Sequence, residues 1–126
     1  MKRSCSTAML LACLLINPAL AQEGDAESGN AVYRRQCASC HQVAQPRNGV
    51  GPNLQGIIGR PAGSVEGFNY SAAMRDSGIT WTPETLDTFL ADPRAMVAGT
   101  RMMLRVADEQ QRLDIVAFLA TQVVPQ

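Results

Sequence analysis

Histidine is almost missing from this chain, because His41 is the only one among 126 residues. Cysteine is also scarce, with four residues, and two of these, Cys5 and Cys13, lie near the N-terminus. A closed structural zinc site takes four nitrogen or sulfur ligands, usually in two separated pairs. Without the two early cysteines the chain has two thiols and one imidazole, which are too few for such a site.

A long apolar run is lacking as well. The stretch STAMLLACLLI follows Lys2 and Arg3 and is shorter than the roughly 20 residues of a membrane-spanning helix. A basic start, a short apolar stretch and the small residues of PALAQ are typical of a secretory signal peptide. We therefore expect residues 1–21 to be a signal peptide cleaved after Ala21, and residues 22–126 to form the mature domain.

Two other interpretations of this N-terminus are open. An uncleaved membrane anchor would need a longer apolar stretch. Lipoprotein processing at Cys13 is suggested by LLAC, which loosely resembles a lipobox, but Leu11 fits poorly and the apolar run continues past the cysteine. A single acyl chain would also bind a membrane only weakly without a second signal.

Lysine and aromatic residues are few. Lysine occurs only as Lys2, and aromatic residues make up 5% of the chain. When Lys2 and Arg3 leave with the signal peptide, the 11 basic residues become 9, all arginine, against 11 acidic ones, a formal charge of −2. The remaining chain, 126 less 21 residues, suffices for one domain with a thin core, which a large apolar cofactor would complete.

What the chain does contain is the pentapeptide Cys37-Ala38-Ser39-Cys40-His41. A Cys-x-x-Cys pair also serves dithiol redox chemistry, and an exported chain reaches an oxidising compartment. That chemistry is typical of a βαβ setting, which this sequence lacks, and it leaves His41 without a role. Covalent haem attachment uses the whole motif, because two thiols add to the haem vinyl groups and the adjacent imidazole binds the iron.

The rest of the sequence predicts helices and loops. Capping residues and apolar spacing indicate helices from Asp25 to about Cys37, over 71–76, over 83–91 and from Asp108 to about Gln122. Asp108, with Gln111 three residues later, resembles a capping box. Residues 42–69 are rich in glycine and proline and should form loops. Because no segment alternates like a strand, we expect an all-α domain around one cofactor.

A haem iron has two axial positions, and His41 accounts for one of them. The chain has six methionines, two of which leave with the signal peptide. The candidates for the second position are Met74, Met96, Met102 and Met103. The others would be ordinary, adaptable core residues, and the composition alone leaves the choice open.

Six segments, in this order and spacing, resemble class I c-type cytochromes, the family of mitochondrial cytochrome c and its bacterial periplasmic relatives. They are GDAESGNAVYRRQCASCH, GPNLQGIIGR, GFNYSAAMRDSGITW, ETLDTFLADP, AGTRM and RLDIVAFL. The resemblance runs from about Gly24 to Leu119 and implies the small monohaem fold, in which loops wrap a covalently bound haem and the first and last helices cross. The residues placed for that crossing are Gly29, Tyr33, Ile115 and Phe118.

The resemblance also implies how one haem c would be attached. Cys37 and Cys40 would form the thioether bonds, and His41 would bind the iron. In the family the other iron ligand directly follows Gly-Thr and one basic residue, which in AGTRM selects Met102.

Further family positions surround the haem. The carbonyl of Pro52 would accept the ring N–H of His41 on one side of the haem, next to Leu54. The donors to the haem propionates would be Arg60, Tyr70, Trp81 and Thr100. Two departures concern the Met side: Phe89 stands where the mitochondrial type commonly has Tyr, and Ala98 stands where Pro usually precedes Gly-Thr.

The implied function is that of a soluble periplasmic one-electron carrier and not of an enzyme. The donor would be a quinol-oxidising complex or a dehydrogenase, and the acceptor an oxidase, a reductase or a photosynthetic centre. We expect a monomer with no membrane span and no nucleic-acid partner. The alternatives are a haem peroxidase, which needs a distal acid–base residue, or a ligand-binding or sensor haem with a displaceable Met, which the changes at Phe89 and Ala98 keep open.

Overall fold

The computed structural model describes residues 22–126. The predicted signal peptide, its cleavage after Ala21 and the alternative acylation of Cys13 fall outside these residues. The helices are α1 (Ala26–Gln36), α2 (Ala72–Arg75), α3 (Pro83–Ala91), α4 (Pro93–Met96) and α5 (Glu109–Ala120). The described residues contain no β-strand, only an isolated antiparallel bridge between Pro61 and Thr80. The all-α prediction is confirmed.

Each long helix begins at the residue that the sequence predicts. The Asp25 carboxylate accepts the Ser28 N–H at 2.7 Å, and so caps α1. At α3, Thr82 and Thr85 form a reciprocal capping box, and Pro83 occupies the first turn. The loop of residues 42–69 is also as predicted, since no helix lies between α1 and α2.

The start of α5 differs from the prediction in one respect. Asp108 accepts the Gln111 N–H at 2.8 Å, which is half of a capping box. The Gln111 side chain does not reach back to complete it, because its carbonyl oxygen accepts a hydrogen bond from Gln36 of α1 at 3.0 Å. A contact between two helices therefore replaces the local one.

The first and last long helices cross at a glycine. A Cβ built on Gly29 would lie 1.8 Å from the Asp114 carbonyl oxygen, so only glycine permits this approach of α1 to α5. Beside it the rings of Tyr33 and Phe118 pack with centroids 5.2 Å apart. Ile115 is only 1% exposed at the same contact. The predicted crossing and the residues named for it are confirmed.

The loop after α1 returns to the core by pairing with the chain before α3. Gly59 donates to the Trp81 carbonyl at 2.7 Å, and Trp81 donates to the Arg60 carbonyl at 2.9 Å. This pairing brings two predicted haem neighbours, Arg60 and Trp81, side by side. None of the helices within residues 22–126 combines the length and the apolar character needed to cross a membrane.

Candidate cofactor site

The helices and loops surround a cavity of about 770 Å³. All the residues predicted from the sequence to contact a haem line it, namely Cys37, Cys40, His41, Pro52, Leu54, Arg60, Tyr70, Trp81, Thr100 and Met102. Its other walls are largely aliphatic and aromatic, including Ile57, Leu86, Phe89, Leu90, Ile115 and Leu119. The residues that line the cavity lie far apart in the sequence, so the cavity forms only when the chain has folded.

The Cys-x-x-Cys-His motif lies where α1 ends. The N–H groups of Cys40 and His41 both donate to the Cys37 carbonyl at 3.0 Å, which folds the motif into a tight turn. Cys37 is buried, Cys40 is half-buried, and the two form no disulfide. Burial raises the pKa of the Cys37 thiol to about 11, with a smaller contribution from Cys40.

That pKa counts against dithiol redox chemistry in this motif. Reactive thiols of redox Cys-x-x-Cys motifs have a lowered pKa, because the thiolate is the nucleophile. Cys37 shows the opposite shift, for the physical reason that its surroundings are apolar. The turn is suited to holding an apolar group against both sulfurs.

The His41 ring is held in one tautomer. Nδ1 lies 2.8 Å from the Pro52 carbonyl oxygen, and because a carbonyl can only accept, the proton is on Nδ1 and the lone pair is on Nε2. Gly51 backs the ring, since a Cβ there would lie 2.4 Å from Cε1. Burial lowers the pKa of His41, Arg60 lowers it further, and the Pro52 hydrogen bond partly opposes both. The imidazole is therefore neutral near pH 7 and able to bind a metal through Nε2.

Arg60 is a half-buried cation at the cavity with only neutral partners. Its guanidinium donates to the carbonyls of Asn53 at 2.8 Å and Gln55 at 3.1 Å. No carboxylate pairs with it in the part of the chain that the structure describes. Burial lowers the pKa of Arg60, although arginine stays charged at neutral pH. A buried cation of this kind is suited to an anionic group on a ligand.

Two further donors face the same cavity. The Tyr70 hydroxyl accepts the Val65 N–H at 3.3 Å, which leaves its own proton available. The Trp81 indole packs on Phe89 with ring centroids 5.1 Å apart and lines the cavity, and its N–H is a donor. With Arg60 they form a set of donors that fits the carboxylates of a haem whose apolar body fills the cavity.

The methionine segment lies on an irregular chain between α4 and α5. Thr100 is buried, and its hydroxyl accepts the Met102 N–H at 3.3 Å. Met102 is half-buried, whereas Met103 is 63% exposed. Met74 is buried against the cavity, and Met96 lies apart from it, near Asp87 and Asp92.

The cavity, its donors and the Cys-x-x-Cys-His turn define a protein that binds a haem covalently. The family model described as Cytochrome c matches residues 26–122 of this chain. The chain belongs to the cytochrome c family.

Individual relatives agree with this assignment. The chain is 44% identical to cytochrome c2 of Rhodomicrobium vannielii over 117 residues, 91% of this chain and 93% of that protein. It is 44% identical to cytochrome c2 of Blastochloris viridis over 106 residues, 82% of this chain and 81% of that protein. The solved structure of cytochrome c2 from Rhodospirillum centenum aligns with a TM-score of 0.74 at 38% identity, covering 80% of this chain and all of that one.

Membership of the cytochrome c family establishes which cofactor the chain binds and its general activity. The chain binds one covalent haem c, and it is an electron carrier rather than an enzyme. Which residues bind the iron depends on the local chemistry of the cavity.

Proposed function

We propose that this chain is a soluble periplasmic one-electron carrier whose haem iron is bound by His41 and Met102. The observation that carries the ligand proposal is the single imidazole of the chain, held with Nε2 unprotonated in a cavity that Met102 also lines. The chain has no second histidine, and its only lysine is Lys2. We therefore propose a thioether for the second axial position, and the family pattern, in which the ligand directly follows Gly-Thr and one basic residue, selects Met102.

Each group of residues has a separate task in this proposal. Cys37 and Cys40 hold the haem, and the apolar walls keep water away from it. Arg60, Tyr70, Trp81 and Thr100 offer donors to its carboxylates. The bound haem supplies the chemistry, a change between ferric and ferrous iron, and His/Met ligation with burial favours a high reduction potential.

A peroxidase is disfavoured by the lining of the cavity. Peroxidase chemistry needs an acid–base group beside an open iron position. No Asp or Glu lines the cavity within residues 22–126, and the only histidine is held on the Pro52 side. The segment that carries Met102 has few main-chain hydrogen bonds, so an external ligand could displace Met102 from the iron. A ligand-binding haem protein is therefore the second candidate function.

The predicted signal peptide and the membership of the family support the location and the partners that we propose. Cleavage after Ala21 would release residues 22–126 to the periplasm as a monomer. The donor would be a quinol-oxidising complex or a dehydrogenase, and the acceptor an oxidase, a reductase or a photosynthetic reaction centre.

Small ligands separate the carrier from the ligand-binding alternative. We expect the purified ferric protein to bind cyanide slowly and the ferrous protein to bind carbon monoxide hardly at all near neutral pH. We also expect a redox titration to follow a one-electron curve. Rapid binding of both ligands by the native protein would instead assign it to the gas-binding or sensor class.

A further inference from the structure

Tyr33 contacts the haem-attachment turn through its main chain, as the end of α1 requires, and also through its side chain. Its carbonyl accepts the N–H groups of Cys37 at 2.8 Å and Ala38 at 3.0 Å. Its hydroxyl donates to the main-chain carbonyl of His41 at 2.7 Å. One residue of α1 thus bonds to both ends of the motif.

The hydroxyl is not explained by the crossing of α1 and α5. The ring of Tyr33 packs on Phe118, and a phenylalanine would make the same ring contact. Tyr33 is only 5% exposed, and a buried hydroxyl is unfavourable unless it is paired. Burial raises the pKa of Tyr33, and Cys37 adds to this, so the hydroxyl keeps its proton and remains a donor.

His41 is therefore held at three points. The Tyr33 hydroxyl bonds to its carbonyl, the Pro52 carbonyl accepts from its Nδ1, and Gly51 lies against its ring. The first contact places the main chain, and the second places the ring. A shift of the main chain would move Nδ1 relative to Pro52, because the side chain is short and its ring is confined.

We propose that Tyr33 is a positioning residue, which fixes the main chain of His41 and thereby maintains the hydrogen bond from His41 to Pro52. This inference rests on the proposed role of His41 as an iron ligand. A hydrogen bond donated by the distant ring nitrogen makes a histidine a more basic ligand. A more basic ligand favours ferric iron, so Tyr33 keeps the reduction potential lower than it would otherwise be.

The variant Tyr33→Phe tests the proposal in the haem-loaded protein, since it keeps the ring and removes only the hydroxyl. We expect the reduction potential to rise. We also expect the His41 Nδ1–H, followed by NMR in the ferrous protein, to exchange with solvent roughly tenfold faster, as expected from losing one buried hydrogen bond. The control is Val116→Ala, which removes buried volume from α5 away from the cavity and should lower stability with the potential unchanged.

A second variant strengthens the Tyr33 hydrogen bond instead of removing it, and it tests the proposal even if Tyr33→Phe folds poorly. Fluorotyrosine introduced at Tyr33 alone is a stronger donor and should lower the potential. An unchanged potential and exchange rate in both Tyr33 variants, or an equal potential shift in Val116→Ala, would overturn the proposal. If His41 were not an iron ligand, the native protein itself would lack the NMR signal of an iron-bound His41. That result differs from a failure of the Tyr33 proposal, in which the native signal is present.

Discussion

Individual side chains decide what this cavity can bind. His41 presents Nε2 because the Pro52 carbonyl takes the Nδ1 proton, and Arg60 supplies a cation that only neutral carbonyls contact. The two neighbouring methionines differ in exposure: Met102 is half-buried, and Met103 is largely exposed. Both line the cavity, so the choice between them as iron ligand calls for a direct test.

Substitution of each methionine in turn makes that test. Met102→Ala should abolish the weak far-red charge-transfer band of ferric Met–haem ligation and lower the reduction potential, because a soft thioether stabilises ferrous iron. Met103→Ala should leave the band in place, since that side chain is mostly in solvent. The reverse pattern in the absorption spectra would place the ligand one residue further along the chain.

Packing between helices sets the stability of the domain around the haem. The closest approach is that of α1 and α5 at Gly29, where no side chain can be accommodated. The hydrogen bond between Gln36 and Gln111 and the ring pair of Tyr33 and Phe118 extend the same contact. Both helices also contribute residues to the cavity wall, so this contact supports the site itself.

Gly29→Ala should lower the free energy of unfolding of the holoprotein by about 3 kcal/mol, the upper end of the usual cost of overpacking. The reason is the clash of the new methyl group with the Asp114 carbonyl. Asn30→Ala, at the adjacent exposed position of α1, should change the free energy by less than about 0.5 kcal/mol. Guanidinium titrations followed by circular dichroism measure both, and similar values for the two would refute the close contact.

Two arginine side chains fasten the segment that carries Met102 to other parts of the chain. Arg101 donates to the Asn69 carbonyl at 2.8 Å, across 32 residues of sequence, and both residues line the cavity. Arg105 donates to the Ala91 carbonyl at 3.2 Å near the other end of the segment. The loop is therefore closed by side-chain hydrogen bonds rather than by regular secondary structure.

Arg101→Ala should open this loop more often and raise the rate of cyanide binding to the ferric protein by about tenfold, the effect of losing one hydrogen bond from a charged donor. Arg94→Ala removes the same charge from an exposed position on α4 and is the matched control. Stopped-flow measurements give both rates. Equal acceleration in the two variants would mean that charge alone, and not the Asn69 contact, is responsible.

Residues 22–126, the predicted mature domain, have a formal charge of 9 − 11 = −2, but the surface around the cavity differs from this average. Exposed apolar side chains line the mouth of the cavity, with Val50 80%, Met103 63% and Leu104 39% exposed. From the family resemblance we expect Arg35, Arg94 and Arg101 around the haem edge, with Arg34 and Arg47 nearby, and all five are exposed. An apolar centre within a cationic rim would suit a redox partner with an acidic surface.

A small anionic oxidant distinguishes the local charge from the net charge. If the arginines surround the haem edge, oxidation of the ferrous protein by ferricyanide should slow as ionic strength rises, because screening weakens an attraction. A rate that rises with salt would show that the net charge of −2 dominates and would remove the idea of a cationic docking surface. Cationic cobalt tris-phenanthroline is the control and should show the opposite salt dependence.

Much of this structure could be predicted because its signals are local. The caps of α1 and α3 depend on residues three apart, and the attachment motif depends on five consecutive residues. The short helix α4 was not predicted, although Asp92 ends α3 and its carboxylate caps α4 by accepting the Ala95 N–H at 3.2 Å. From the sequence alone, Asp92-Pro93 predicts only the end of the helix over 83–91, whereas the pair is also the start of the next helix.

Spacing along the chain specifies the attachment motif, the long helices and the family, because each of these signals lies in nearby residues. Which groups meet at the cavity depends on how distant segments pack against each other. The Gln111 side chain accepts a hydrogen bond from Gln36 instead of completing the capping box of α5, and Arg101 donates to the Asn69 carbonyl. The Tyr33 hydroxyl finds the His41 carbonyl only because the chain turns sharply after α1. Such contacts depend on how segments that are distant in sequence pack together. A local pattern of residues does not specify which of these segments become neighbours.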